Sequence, residues 1–171
     1  MKIIIRPIRQ TDAEVISAAF AGIGWRKPVS QYRRYFREQV SGKREVLVAW
    51  IGDTFAGYGT ILWKSNYSLF RKLKIPEIVD LNVLPKFRRQ KIGTRLMNRA
   101  ENLIKQRSST AGIGVGLAPG YNAAQRMYVK RGYIPDGLGV TYRGKFVKEG
   151  QKVIVGDDLV LHFTKMMDSK Q

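Results

Sequence analysis

The chain has no cysteine and one histidine among its 171 residues. Without thiols there is no disulfide framework, no thiolate zinc site and no cysteine nucleophile. The lone His162 offers too few ligands for a histidine-built metal centre, and no G-x-S-x-G accompanies it to suggest a serine hydrolase. No metal is therefore expected. Acids are scarce as well: 13 Asp and Glu stand against 31 Lys and Arg, a net charge of +18. Long apolar runs are missing. The opening Met1-Lys2-Ile3-Ile4-Ile5-Arg6 lacks the apolar stretch of a signal peptide, and nothing approaches membrane-span length. A soluble, cytoplasmic protein with no membrane partner is the expectation.

What is present is a chain of one-domain length, 44% apolar, with aromatics spread along it, which excludes a disordered or collagen-like polymer. The positive charge is uneven. From Leu81 to Lys148 there are 14 Lys and Arg against two acids, Glu101 and Asp136. Such a field attracts polyanions, whether nucleic acid, an acidic protein, anionic lipid or a phosphate-rich cofactor; a merely solubilising basic surface is the plainer alternative.

The elements alternate. Lys2–Ile8 reads as a strand, and Thr11-Asp12-Ala13-Glu14 matches a capping box ahead of a helix whose Val15, Ile16, Ala19, Phe20 and Ile23 share one face. Gly22, Gly24 and Pro28 break it. A second helix is expected from Ser30, with Tyr32, Tyr35, Phe36 and Val40 inward. Strands over Glu45–Ile51 and Thr54–Trp63 flank a hairpin at Gly52-Asp53. Ser65–Pro76 reads as a loop, Glu77–Val83 as a strand apolar on both sides, and Ile92–Arg107 as a helix of 3.6 period. Ala111–Ala118 reads as a strand whose Gly112, Gly114 and Gly116 allow close packing. Asn122–Arg131 is a short helix, Val140–Val147 a glycine-rich mobile hairpin, and Asp158–Thr164 a closing strand with Leu159, Leu161 and Phe163 on one face. The order implies a single mixed α/β domain over residues 1–171.

The stretch Val83-Leu-Pro85-Lys-Phe-Arg88-Arg89-Gln90-Lys91-Ile92-Gly93-Thr94 carries a strand into a basic loop that opens a helix. Free N–H groups and partial positive charge at a helix start bind phosphate, and Lys86, Arg88, Arg89 and Lys91 place four cations beside it. No P-loop pattern exists anywhere in the chain. The arrangement resembles motif A of the GNAT superfamily of acetyl-CoA-dependent N-acetyltransferases, V-x-P-x-x-R-x-x-G-x-G/A: Val83, Pro85, Arg88 and Gly93 match, and Lys91 stands where the family has its first glycine. Ala124-Gln-Arg-Met-Tyr128-Val-Lys-Arg-Gly132-Tyr133 resembles motif B. The asparagine usual three residues before that alanine would fall on Tyr121; here it is Asn122, one place later. The resemblance covers essentially the whole chain.

It implies a mixed, mostly antiparallel sheet flanked by helices, with two parallel strands, Glu77–Val83 and Ala111–Ala118, splayed apart to take the pantetheine of acetyl-CoA. The backbone of Leu81 and Val83 would pair with that arm. The pyrophosphate would rest on the loop of Arg88, Arg89, Gln90, Lys91, Ile92, Gly93 and Thr94, with Asn122 a further contact. Direct acetyl transfer to a primary amine follows. Tyr128 would protonate the leaving thiolate; otherwise it is a core aromatic. Glu77 would be the base, acting through a water; otherwise it is a solvent-facing strand residue or one in a salt bridge to a nearby Lys. Asp80, on the other side of that strand, and His162 read as structural.

The acceptor is left open among a small amine, an amino acid derivative, a protein amine and aminoacyl-tRNA. The scarcity of acids argues mildly against a polycation, with Asp136, Asp157 and Asp158 a local exception. The alternative function is a basic module of the same fold that binds nucleic acid or the ribosome without acetyl transfer; the Lys86–Lys91 cluster is already accounted for by cofactor phosphates, so nucleic acid is not favoured. A homodimer is compatible with the family.

Overall fold

A computed structural model describes residues 2–167. By its internal contacts the chain divides into two compact units, Met1–Trp63 with Ile78–Leu103, and Lys64–Glu77 with Ile104–Gln171.

The first unit is built on four strands in the order β1-β2-β3-β4: β1 (Ile3–Pro7), β2 (Arg44–Ile51), β3 (Thr54–Leu62) and β4 (Glu77–Val83). β1 pairs antiparallel with β2, and β2 with β3. The expected hairpin is present: Ile51 faces Thr54 across Gly52, whose φ of +56° is the left-handed conformation the tight turn needs. Two helices, α1 (Asp12–Ala21) and α2 (Val29–Val40), lie between β1 and β2 in sequence, and α4 (Ile92–Lys105) follows β4. Ile8, Ile16, Phe20, Tyr32, Tyr35, Val46, Val48, Phe55 and Tyr58 form a buried core. Rings fill it edge to face: Phe20 meets Tyr58 at 5.8 Å and Tyr32 meets Tyr58 at 5.4 Å.

Some side chains fall elsewhere than expected. Val15, Ile23 and Val40 are exposed, because α1 turns Ala13, Ile16 and Phe20 inward and α2 turns Tyr32 and Tyr35. The capping box does not form. Thr11 has helical φ and ψ and makes no side-chain cap. Asp12, the first residue of α1, turns its carboxylate back to the preceding segment instead, accepting from the Arg9 backbone N–H at 2.7 Å and from both terminal nitrogens of Arg6 at 2.7 and 2.9 Å. The Asp12 carboxylate is thus held by the Arg6 guanidinium in two charge-assisted bonds.

The second unit has the strand order β5-β8-β6-β7, with β5 (Thr110–Gly116), β6 (Ile134–Tyr142), β7 (Lys145–Phe146) and β8 (Leu159–Met166) paired antiparallel throughout. The late hairpin starts earlier than expected, β6 beginning at Ile134 and carrying an irregularity between Pro135 and Val140. β8 is not cleanly two-faced, since His162 and Phe163 are both buried. α5 (Asn122–Lys130) lies between β5 and β6 in sequence. The segment read as a loop holds a short helix, α3 (Ser68–Lys72), anchored by Phe70, which is fully buried with Tyr67 and Ile75 around it. The three β5 glycines are packing positions as expected: a Cβ would meet the Phe70 ring at Gly112, Val160 at Gly114 and the Tyr121 ring at Gly116, all within 3 Å.

Candidate active site

The motif A residues lie together at the end of β4 in the first unit. After β4 the chain makes one 3₁₀ turn over Pro85–Phe87 and reaches α4 through Arg88, Arg89, Gln90 and Lys91, all four exposed. The Lys91 carbonyl accepts the Arg95 N–H at 2.9 Å, so Lys91 stands at the helix start. Arg89 has φ +63° and Lys91 φ +61°. Lys91 thus takes a left-handed conformation that a glycine would adopt without strain. A loop that turns left-handed in this way gathers backbone N–H groups into an anion-binding concavity, and the first N–H groups of α4 have no partner within the helix.

Two side chains tie the loop down. Ile92 is 1% exposed and enters the core, which leaves only its backbone for a ligand. Arg88 Nε donates to the Val83 carbonyl at 3.4 Å, and its guanidinium lies 5.9 Å from the Trp25 ring centre. Gly93 has open space: a Cβ there would meet only Val83 Cγ2, at 3.8 Å. The fold itself does not demand glycine at that place. Bare backbone, two left-handed turns, an N-terminal helix end and four cations fit a pyrophosphate. Leu81 and Val83, the residues expected to pair with pantetheine, are half-buried in β4.

The second unit holds the other candidates. Tyr128 is 5% exposed on α5, its ring 6.1 Å from that of Tyr133. Burial, with the Tyr121 hydroxyl adding to it, pushes its pKa up to about 12, so the hydroxyl keeps its proton at neutral pH. Asn122 is exposed at the start of α5. Tyr121, which occupies the family's asparagine place, packs on Gly116 and donates its hydroxyl to Asp157 at 2.8 Å.

Glu77, the first residue of β4 and the one residue of that strand that falls in the second unit, is buried. Ser65 donates to its carboxylate at 2.5 Å, and His162 Nε2 stands 3.9 Å from its other oxygen. Burial raises its pKa, and the Ser65 bond opposes that rise. His162 stacks on Tyr67 with ring centres 3.7 Å apart, and Phe70 meets it at right angles. Burial drives the His162 pKa down to about 4, against a smaller opposing pull from Asp136, so the imidazole is neutral at pH 7. It is a packed aromatic. Among the described residues no group of three or more His, Cys, Asp and Glu could hold a metal ion, and no helix is long and apolar enough to cross a membrane.

Sequence reasoning missed one cluster altogether. Asp80, in the middle of β4, has φ +55°, a conformation that an aspartate tolerates better than most residues but that is out of place in a strand. Its Oδ2 accepts from Tyr58 at 2.5 Å, Tyr35 at 2.9 Å and Gln31 at 3.2 Å; its Oδ1 accepts from Asn82 at 2.7 Å and Lys27 at 3.1 Å. The nearest available signal was the i, i+2 pair Asp80 and Asn82, polar residues among Ile78, Val79, Leu81 and Val83 of the same strand.

A family model of the acetyltransferase (GNAT) family matches residues 13–133. The chain belongs to that family, whose members move an acetyl group from acetyl-CoA. Solved structures agree on the fold. An N-acetyltransferase from Staphylococcus aureus superposes with a TM-score of 0.72 at 14% identity, covering 98% of this chain and 100% of its own. YncA from Salmonella typhimurium, solved with its cofactor acetyl-CoA, gives 0.70 at 14% identity over 100% of this chain and 97% of its own. A ribosomal-protein-alanine N-acetyltransferase from Brucella melitensis gives 0.70 at 16% identity over 95% and 99%. No curated protein matches the chain by sequence.

Proposed function

We propose that this acetyltransferase passes the acetyl group of acetyl-CoA directly to a primary amine. The observation that supports the reading is the Arg88–Thr94 loop, where Arg89 and Lys91 both turn left-handed ahead of the start of α4. Backbone N–H groups of this loop, with Arg88, Arg89 and Lys91, hold the phosphates, and the Leu81 and Val83 backbone receives the pantetheine. Bound acetyl-CoA supplies an activated thioester carbonyl. Tyr128 gives a proton to the departing sulfur; its raised pKa guarantees that the proton is there to give. Glu77 takes the proton of the acceptor amine. At 6% exposure it does so through a water rather than by contact, and its raised pKa brings it nearer the range useful to a base. Asn122, exposed at the start of α5, borders the coenzyme. The acceptor is a small amine, an amino acid derivative, or a protein or aminoacyl amine, and the protein acts in the cytoplasm.

The test is release of free thiol from acetyl-CoA across a panel of primary amines, amino acids and N-terminal peptides. Acceptor-dependent release supports the reading. Tight, steeply salt-dependent RNA binding with no thiol release from any acceptor would replace it with a nucleic-acid-binding module.

A further inference from the structure

We infer that the Asp80 cluster of the first unit is a seat for a primary alkylammonium group, occupied in the free protein by the protein's own Lys27, which a cationic acceptor displaces. The inference rests on the N-acetyltransferase reading only in calling that guest the acceptor.

The seat is built independently of its occupant. A carboxylate offers about four lone-pair directions to donors. Four neutral groups, the hydroxyls of Tyr58 and Tyr35 and the amides of Gln31 and Asn82, already donate to Asp80. Both tyrosines stay protonated, since burial first and the Asp80 charge second raise their pKa values, that of Tyr35 to about 12. The carboxylate is thus held and its charge solvated without Lys27. Donors crowd Oδ2, whereas Oδ1 has one neutral donor, Asn82, and turns its other side to the cation.

The contacts of Lys27 are those an ammonium guest would choose. Its Nζ donates to Asp80 Oδ1 at 3.1 Å and to the Tyr58 oxygen at 3.0 Å. It lies 5.4 Å from the Phe20 ring centre and 5.5 Å from that of Tyr58. A carboxylate, a hydroxyl oxygen and two ring faces make a recognition site for a cation with N–H donors on an alkyl stem.

The occupant is also poised to leave. Lys27 lies in the connection between α1 and α2, where residues 22–26 are all exposed and Gly24 has φ +75°. The Lys27 side chain keeps 19% of its surface and Asp80 22%, so water already reaches the pair. The backbone is fixed on its own account, since Ser17 Oγ donates to the Lys27 carbonyl at 2.7 Å. Release of the ammonium therefore leaves the connection tethered. A tethered lysine acts as an internal competitor: a guest's apparent affinity falls by the fraction of molecules whose seat is free.

Titration of the full-length protein with n-butylammonium chloride, followed by NMR without acetyl-CoA at low ionic strength, reads the seat directly. Wild type should bind weakly, and Lys27→Met should bind about tenfold more tightly if Lys27 fills the seat about nine-tenths of the time. Asp80→Asn should abolish binding in both backgrounds, and tetramethylammonium, which has no N–H, should gain little from Lys27→Met. Equal affinities in wild type and Lys27→Met, or binding that survives Asp80→Asn, would overturn the proposal and leave Lys27–Asp80 a fixed ion pair. Lys27→Gln, which keeps a polar tip, serves should Lys27→Met fail to fold, with the same two outcomes. Because the readout needs no turnover, it fails or succeeds apart from the acetyl-transfer reading: butylammonium binding without thiol release sinks only the latter, and thiol release with unaltered affinity in Lys27→Met sinks only the seat.

Discussion

The edge of the Phe70 ring occupies the space a side chain would need at Gly112: a Cβ there would stand 2.3 Å from Phe70 Cε2. The ring cannot retreat, being fully buried and met edge-on by Tyr67 at 4.8 Å and His162 at 5.6 Å. Gly112→Ala should therefore cost about 1–3 kcal/mol, the usual penalty of overpacking. Urea denaturation measures it. Adding Phe70→Leu should recover part of the loss if this contact is the cause, and a simply additive double variant would show that it is not.

His162 sets a pH dependence. Its folded pKa of about 4 lies below the ordinary 6.5. As pH falls below 6.5 the unfolded chain takes up a proton that the folded chain refuses. Stability from this group is complete above 6.5 and drains away down to about 4. Glu77 works with the opposite sign, because a raised carboxylate pKa favours the folded state on acidification. Comparing variants isolates the histidine. His162→Phe keeps a ring against Tyr67 and should remove on the order of 2 kcal/mol of the acid-induced loss between pH 7 and pH 4.5. Parallel stability curves for the two proteins would refute the assignment.

How much of this was legible depended on whether the cause lay along the chain or across it. β4 and α4 follow from local pattern, an apolar run on both faces and a 3.6 period, and the phosphate loop is legible because its residues are consecutive. α3 is not legible, since five residues give no period, and Arg71 and Lys72 conceal that Phe70 holds it to the core. The capping box at α1 does not form: Thr11 makes no side-chain cap, and the Asp12 carboxylate is engaged by Arg6, a residue outside the local motif. The Asp80 cluster left no spacing to find: Lys27 and Asp80 are 53 positions apart, and Tyr58 and Gln31 come from a strand and a helix. Asp80 read as a structural residue because its partners meet only after folding.

Gly93 separates a demand of the fold from a demand of a ligand. Among the described residues beyond its chain neighbours and its own helix backbone, none comes closer to a Cβ there than 3.8 Å. Gly93→Ala should fold as well as wild type, and helix propensity favours alanine by about 0.5–1 kcal/mol. Acetyl-CoA should nevertheless raise its melting temperature less than that of wild type, and Gly93→Asp should lose the shift altogether, since a ligand of the folded state stabilises by mass action and the aspartate repels phosphate. The wild-type shift should shrink with salt. An undiminished shift in Gly93→Asp would move the phosphate site away from this loop.

Glu77→Gln tests the buried base. Glutamine can still accept from Ser65, so stability and acetyl-CoA affinity should change little. Turnover should fall on the order of 10²-fold, and the acidic limb of the pH–rate profile should disappear. Burial raises the carboxyl pKa, so in the wild type that limb should lie above the ordinary value of 4.5. Near-wild-type rates across the pH range would return Glu77 to packing beside His162.

Tyr128→Phe asks what the hydroxyl does when the ring stays. The phenylalanine keeps the face turned toward Tyr133, 6.1 Å away, so the core loses no ring. An acid acting on the leaving sulfur matters most where thiolate charge develops, which is the transition state. Its loss should therefore lower kcat and leave acetyl-CoA affinity intact. General acid catalysis contributes about 10²–10⁴-fold, and a thiolate is a fair leaving group, so the lower end is expected. Because the hydroxyl pKa is pushed up to about 12, the wild-type rate should show no loss of this acid across the neutral range. The competing role is structural. If the hydroxyl serves a buried polar partner, Tyr128→Phe should instead lose about 1–3 kcal/mol of stability while keeping its rate. Steady-state kinetics and thermal denaturation on the same preparation tell the two apart, and full activity with a lowered melting temperature would end the catalytic assignment.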